Sequence, residues 1–181
     1  MRKITLGMNI TLDGYIAGPN GELDWVFPNV TPEQMELITK SSHEADTILI
    51  GRNTYIEQAA MWPTQTNELA ELLNSHVKVV FSKTLDKLEW NNSRFATGDI
   101  VQEVTQLKQQ PGKNIFVTGG AMLAQSFISE GLIDELNLFV HPVMLGEGKS
   151  LFKGLSEPQN LQLLSSRTFD TGVVHLTYQK V

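Results

Sequence analysis

The sequence predicts an α/β fold on one mixed, mostly parallel sheet, and three observations carry that prediction. The apolar segments Thr47-Ile48-Leu49-Ile50, His76 to Phe81 and Ile115 to Thr118 run into small or polar residues, respectively Gly51, Ser82-Lys83-Thr84 and Gly119-Gly120. Parallel strands covered on both faces read this way, with their C-terminal ends opening into loops. Helical patterns lie between the segments, as parallel pairing needs a crossover. Lastly, Glu135 to Met144, Leu161 to Phe169 and Val173 to Gln179 follow one another with no helix of useful length between them. They are expected to add antiparallel edge strands to the same sheet.

The elements follow in order. Ile4, Leu6, Met8 and Ile10 alternate with Thr5, Gly7 and Asn9, which predicts a first strand. Asp13-Gly14 and Pro19-Asn20-Gly21 mark turns around Tyr15 and Ile16, in an irregular stretch long enough to form a loop over a pocket before Trp25. Thr31-Pro32-Glu33-Gln34 carries a helix start: a threonine cap, proline where no amide bond is lost, an acid in the first turn and Gln34 placed to close a capping box. Met35, Leu37 and Ile38 supply its buried side, and it should end near His43 to Asp46. Asn67 to Ser75, a segment capped by Asp99 with Ile100, Val101, Val104 and Leu107, and Ala121 to Glu130 are the other helices. Asp170-Thr171-Gly172 should close the final hairpin.

The 181 residues suit one domain, 1–181. Twenty acidic against fourteen basic residues give a net charge of -6, which argues against a nucleic-acid surface. Without cysteine there is no disulfide, thiolate metal site or cysteine nucleophile, and the histidines at 43, 76, 141 and 175 lack metal-ligand spacing, so no metal is expected. No apolar run is long enough to span a bilayer or to form a secretory leader, so a cytoplasmic protein is expected, with no membrane partner.

Three strand ends could carry chemistry. Thr118-Gly119-Gly120-Ala121 lets backbone approach a ligand while the helix that follows from about Ala121 offers free amides to phosphate oxygens; an ordinary glycine turn explains it as well. In Gly51-Arg52-Asn53-Thr54, Arg52 could fork onto a phosphate and Thr54 contact a pyrophosphate, or the pair could be a surface arginine and a helix cap. Ser82-Lys83-Thr84 could receive a ribose phosphate or form a solvated turn. They act together only if their strands are neighbours. No GxGxxG follows the first strand and no GxxxxGK[ST] occurs, which lowers a standard Rossmann dehydrogenase and a Walker-type hydrolase. Trp62 either lines a pocket mouth or covers the core. His141 and His175 read as strand-packing residues, and Phe139, Phe152 and Phe169 as core or subunit-interface residues.

Several blocks occur in an order that resembles a known group. They are Met8-Asn9 with Leu12-Asp13-Gly14-Tyr15-Ile16-Ala17; Leu23-Asp24-Trp25; Ile50 to Tyr55; Phe81 to Thr84; Val117 to Gly120; and Leu132 to Leu136 followed by His141 to Gly148. Together they resemble the dihydrofolate-reductase-like superfamily, most nearly the reductase domain of riboflavin-biosynthesis enzymes and its small uncharacterised relatives. The resemblance implies a three-layer αβα fold with NADPH across the C-terminal edge of the sheet. It implies that Arg52, Ser82 and Lys83 surround the 2′-phosphate, that Gly119, Gly120 and Ala121 approach the pyrophosphate, that Ile16 and Ala17 sit against the nicotinamide and that Asn9 faces the nicotinamide and substrate. It also points to a cis peptide at Gly119-Gly120 and to a homodimer, for which Leu138, Val140, Leu176 and Tyr178 offer apolar surface unless they fill the core.

The candidate cofactor residues are therefore Ile16, Ala17, Gly51, Arg52, Thr54, Ser82, Lys83, Thr84, Gly119, Gly120, Ala121 and Met122. Substrate-side candidates are Asn9, Trp25, Glu33, Glu36 and Asp134. The function expected is NADPH-dependent hydride transfer to a small C=O or C=N compound. Alternatives are a dinucleotide sensor or non-catalytic homologue, a phosphoribosyl-aminopyrimidine reductase, and a dihydrofolate reductase. Glu33 and Glu36 do not match cleanly the spacing of the acidic residue that the folate enzyme uses, which lowers the last.

Overall fold

Alternation at Ile4, Leu6 and Ile10 places one side of the first strand in the core, where these residues are at most 3% exposed. The computed structural model describes residues 1–181. Strand β1 (Ile4–Thr11) is followed by β2 (Tyr15–Ala17), α1 (Pro32–His43), β3 (Ala45–Gly51), α2 (Arg52–Met61) and α3 (Glu68–Ser75). Then come β4 (Val77–Phe81), β5 (Ser93–Phe95), α4 (Ile100–Gln109), β6 (Asn114–Thr118), α5 (Ala121–Ser129), β7 (Glu135–His141), β8 (Lys149–Ser150), β9 (Leu161–Thr168) and β10 (Val174–Lys180).

Eight strands form one sheet in the order β5-β4-β3-β6-β1-β7-β10-β9. Every pairing from β5 through β7 is parallel, whereas β10 pairs antiparallel with both β7 and β9. The expected hairpin closes through Gly172 N–H to Phe169 O, 2.9 Å. The mixed sheet thus follows the sequence reading.

The helices lie on both faces, and the core divides accordingly. Val104 and Leu107 of α4 and Ala124, Phe127 and Ile128 of α5 pack with Ile4, Leu6, Leu49, Val79, Val117 and Leu138 in one large cluster. The other face has two smaller clusters: Ile48, Ile50, Tyr55, Val80 and Trp90 around α2, and Phe139, Phe169 and Val173 beneath Leu37 and Ile38 of α1. Burying a large apolar side chain gives roughly 1.5–3 kcal/mol, so these clusters supply the main folding force. Trp62 covers the second cluster, and Phe152 is exposed. Leu138 is buried, and Val140 and Tyr178 lean on the large cluster, so these three fill the chain's own core. Exposed apolar side chains of β9 are instead Leu161, Leu163 and Leu164.

Local chemistry fixes several boundaries. Thr31 Oγ1 accepts from Gln34 N–H while Gln34 Oε1 accepts from Thr31 N–H, the capping box the spacing predicts. Asn67 and Asp99 cap α3 and α4 with the side-chain half of that arrangement, accepting from Ala70 N–H and Gln102 N–H. Helix α2 begins at once after Gly51, further than the cap reading reached, because only Tyr55 is buried and no apolar stripe announces it. The short strands β5, β2 and β8 also escape a periodicity reading. β2 and β8 form a two-stranded antiparallel ribbon beside the main sheet.

Candidate active site

Parallel pairing brings the three expected strand ends to one edge. Gly51 at the end of β3 is in register with Phe81 of β4, and Ile50 with Thr118 of β6. Adjacent strands lie about 4.8 Å apart, so Arg52, Ser82 and Gly119 leave neighbouring strand ends. Helices α2 and α5 both start here, and their free N–H groups and positive dipole ends point toward this edge.

The second and third ends are tied directly. Gly120 N–H donates to Thr54 Oγ1 at 2.9 Å. A Cβ on Gly119 would stand 2.2 Å from Thr54, so the close approach requires glycine there. Gly119 has φ +81° and Gly120 φ +30°, a backbone open to glycine but rarely to other residues. No peptide is cis, which corrects the expectation for Gly119-Gly120: two successive positive φ values turn the chain with trans bonds. A Cβ on Gly120 would meet nothing nearer than Thr54 Oγ1 at 3.7 Å, leaving open backbone on its outer side. Arg52 and Lys83 are exposed and take part in none of the ion pairs. Ser82 Oγ accepts from Thr84 N–H (3.2 Å) and Leu85 N–H (3.0 Å), setting the turn that carries Lys83. Ala121 and Met122 form the first turn of α5, with Met122 exposed.

On the other side of β6 the central strand β1 contributes Asn9. Leu6 pairs with Val117, the last paired position of these two strands, and Asn9 lies three residues further on, toward the C-terminal end at which the glycine pair leaves β6. Asn9 Oδ1 lies 2.9 Å from His141 Nε2 at the end of β7. The Trp25 indole and the His141 ring meet at a near right angle, 5.1 Å between centroids. Burial pushes the His141 imidazole below the ordinary histidine value, so it is neutral near pH 7. Its Nδ1 is buried without a partner.

The loop that holds Ile16 and Ala17 is braced as well. Thr11 Oγ1 donates to Asp13 (2.5 Å), and Asp13 also accepts from Leu145 N–H (3.0 Å) and Gly146 N–H (2.7 Å). The Thr11 and Gly146 hydrogen bonds hold the Asp13 carboxyl below its usual range. Ile16 and Ala17 are buried where β2 pairs with β8.

Three substrate-side candidates do not join this group. Asp134 lies at the opposite end of β7, accepting from Ile4 N–H (2.7 Å) and Lys108 Nζ (2.6 Å) as a brace for the sheet. Glu33 pairs with Arg167 of β9. Arg167 is in register with His175, His175 with Phe139 and Phe139 with Asn9, so the pair stands three strands, about 14 Å, from Asn9. Glu36 is exposed on α1. A polar cleft of about 540 Å³ opens at the N-terminal edge among Arg2, Lys108 and Lys113, away from the glycine pair. His141 is a packed strand residue, as the sequence reading has it, but its contact with Asn9 is not legible there, although its place two residues beyond Phe139 on an alternating strand puts both on one face.

Residues 2–175 match the model of the RibD C-terminal domain. The chain is 40% identical over 186 residues to the uncharacterized protein YyaP of Bacillus subtilis strain 168, covering 98% of this chain and 94% of that one. It is 24% identical over 159 residues to the riboflavin biosynthesis protein RibD of Corynebacterium ammoniagenes, covering 82% of this chain but 45% of the relative, so it spans under half of that protein. In fold it is similar to the crystal structure of a putative riboflavin biosynthesis protein from Shewanella sp. PV-4. The TM-score is 0.78 at 24% identity, covering 99% of both chains.

Proposed function

From the premise that the chain belongs to the RibD C-terminal domain family, we propose that it is an NADPH-dependent reductase transferring hydride to a small C=O or C=N compound. The observation that carries this reading is the junction of three strand ends at which two helix N-termini, the Thr54 to Gly120 hydrogen bond and the unpaired Arg52 stand together. Open backbone at Gly120 fits a pyrophosphate lying against the start of α5. Arg52 and Lys83 would hold the 2′-phosphate with Ser82, and Ile16 and Ala17 would border the nicotinamide. When bound, the reduced nicotinamide supplies the hydride. The chain's own part is to bind the dinucleotide along the edge, to fix the loop at Ile16 through Asp13, and to present Asn9 beside the glycine pair.

Arg52→Ala tests the phosphate assignment. A charge-assisted hydrogen bond is worth roughly 1.5–3 kcal/mol, so NADPH affinity should fall about 10- to 150-fold while NADH affinity falls much less. Calorimetric titration of both proteins with both cofactors at one ionic strength reads this. Equal losses would place Arg52 on a shared part of the dinucleotide, and failure of the native protein to bind NADPH would overturn the function.

A further inference from the structure

We propose that His141 is a positioning residue that orients the Asn9 carboxamide, so that the Asn9 NH2 is offered at the edge of β1 to the carbonyl oxygen or imine nitrogen of the substrate. The inference rests on the reductase reading above.

Four observations lead to it. Asn9 lies near the C-terminal end of β1, at the same end of the sheet as the glycine pair that the reductase reading places against the cofactor. Its side chain is in contact with a histidine 132 residues away, and Asn9 Nδ2 makes no hydrogen bond within the chain. His141 is 1% exposed, so its ring is gripped by its surroundings, including the Trp25 indole packed at a near right angle to it. Finally, the apolar cover on this face is split into a cluster around Ile50, Tyr55 and Trp90 and another around Phe139 and Phe169. Neither cluster includes Asn9 or Gly7 of β1.

An amide has two ends, and only one is useful to a hydride acceptor. As hydride reaches the carbon of C=O or C=N, negative charge grows on the oxygen or nitrogen, and a positioned N–H donor stabilises it. A freely rotating carboxamide would spend much of its time presenting oxygen instead. His141 removes that freedom if Nε2 carries the proton and donates to Asn9 Oδ1, leaving the NH2 turned away from the ring. Nδ1 is then the unprotonated atom, in keeping with its burial without an acceptor.

The tautomer decides the orientation and is measurable in the free protein. Nitrogen-15 NMR near pH 7 should find His141 protonated on Nε2; protonation on Nδ1 would reverse the amide and overturn the proposal. Benzamide, a neutral carbonyl compound that is not readily reduced, serves as probe in the NADP complex. It should shift the Asn9 NH2 signals saturably, and unmoved signals would count against the assignment. His141→Leu should weaken benzamide binding about tenfold, the scale of one lost hydrogen bond, with NADP affinity unchanged. His141→Gln, which keeps a donor near the same place, should recover most of it. Benzamide binding in His141→Leu equal to the native protein's would overturn the positioning role. Absence of NADP binding would strike the reductase reading alone and leave the tautomer to decide the orientation of Asn9.

Discussion

At the N-terminal edge of the sheet, Arg2 donates to Lys113 O and Thr47 Oγ1, both at 2.7 Å, and pairs with Asp46, which also accepts from Lys113 N–H. Asp134 there ties the start of β1 to Lys108. At the C-terminal edge the cations Arg52 and Lys83 stand exposed, and Gly119 and Gly120 hold positive φ. One edge uses its polar groups to hold strands together; at the other, Arg52 and Lys83 face outward and make no ion pair. Exposed cations and glycine backbone cost the fold little there, and they are what the reductase reading needs at a cofactor edge.

The contrast breaks most visibly at Arg2. Arg2→Ala removes a side chain only 6% exposed and leaves Asp46, Thr47 and the Lys113 carbonyl without their shared donor. The expected loss is roughly 2–4 kcal/mol, lowering Tm by about 5–15 °C for a domain of this size. Calorimetric melting checks it, and the ratio of NADPH to NADH affinity should not change. A Tm within a degree of native would show that the edge is not held by this network.

A smaller effect separates folding charge from ligand charge by pH. Glu103 is buried, which alone would raise its carboxyl, but hydrogen bonds from Arg94 and from Thr97 N–H and Oγ1 more than offset that and hold it below its ordinary value. Its unfolded value is about 4.3. The folded protein thus releases this proton more readily than the unfolded chain, so the stability it confers is present above about pH 4.3 and is lost as pH falls through the folded value. Glu103→Gln should cost roughly 1–3 kcal/mol at pH 7 and flatten the acid limb of a urea-denaturation series. An acid limb as steep as the native one would assign that loss to other carboxylates.

What was legible beforehand divides along the same line. The caps at Thr31 and Asp99, the buried strands and the final hairpin depend on residues within a few positions of one another, so spacing reveals them. The three strand ends were each readable, but their meeting depended on the order β4-β3-β6, which no local pattern encodes. The partner of Asn9 lies 132 residues away and that of Glu33 lies 134 away. Asp134 precedes the strand predicted from Glu135, so its place at a strand entry is legible, but its role as a brace depends on Ile4, 130 residues away, and on Lys108. Helix α2 stayed hidden because its sequence buries little beyond Tyr55.

The smallest expected effect concerns Thr54, which sits between the two kinds of edge because it is a structural contact made entirely among ligand-facing residues. Its hydroxyl accepts the Gly120 N–H, and its side chain occupies the space a Cβ on Gly119 would need. Thr54→Val keeps that shape and removes the acceptor. Gly120 is exposed, so its freed N–H finds water and the fold should lose little. The glycine pair, however, is no longer fixed before the cofactor arrives, and ordering it then draws on binding energy. One neutral hydrogen bond is worth about 0.5–1.5 kcal/mol, which lowers dinucleotide affinity roughly 2- to 12-fold. Because the pyrophosphate is common to both cofactors, NADPH and NADH should lose equally, unlike the selective loss at Arg52. Thr54→Ser, which restores the hydroxyl, should return most of the affinity. A selective loss for NADPH in Thr54→Val would move the 2′-phosphate from Arg52 toward the start of α5, and with it the division of labour along the edge.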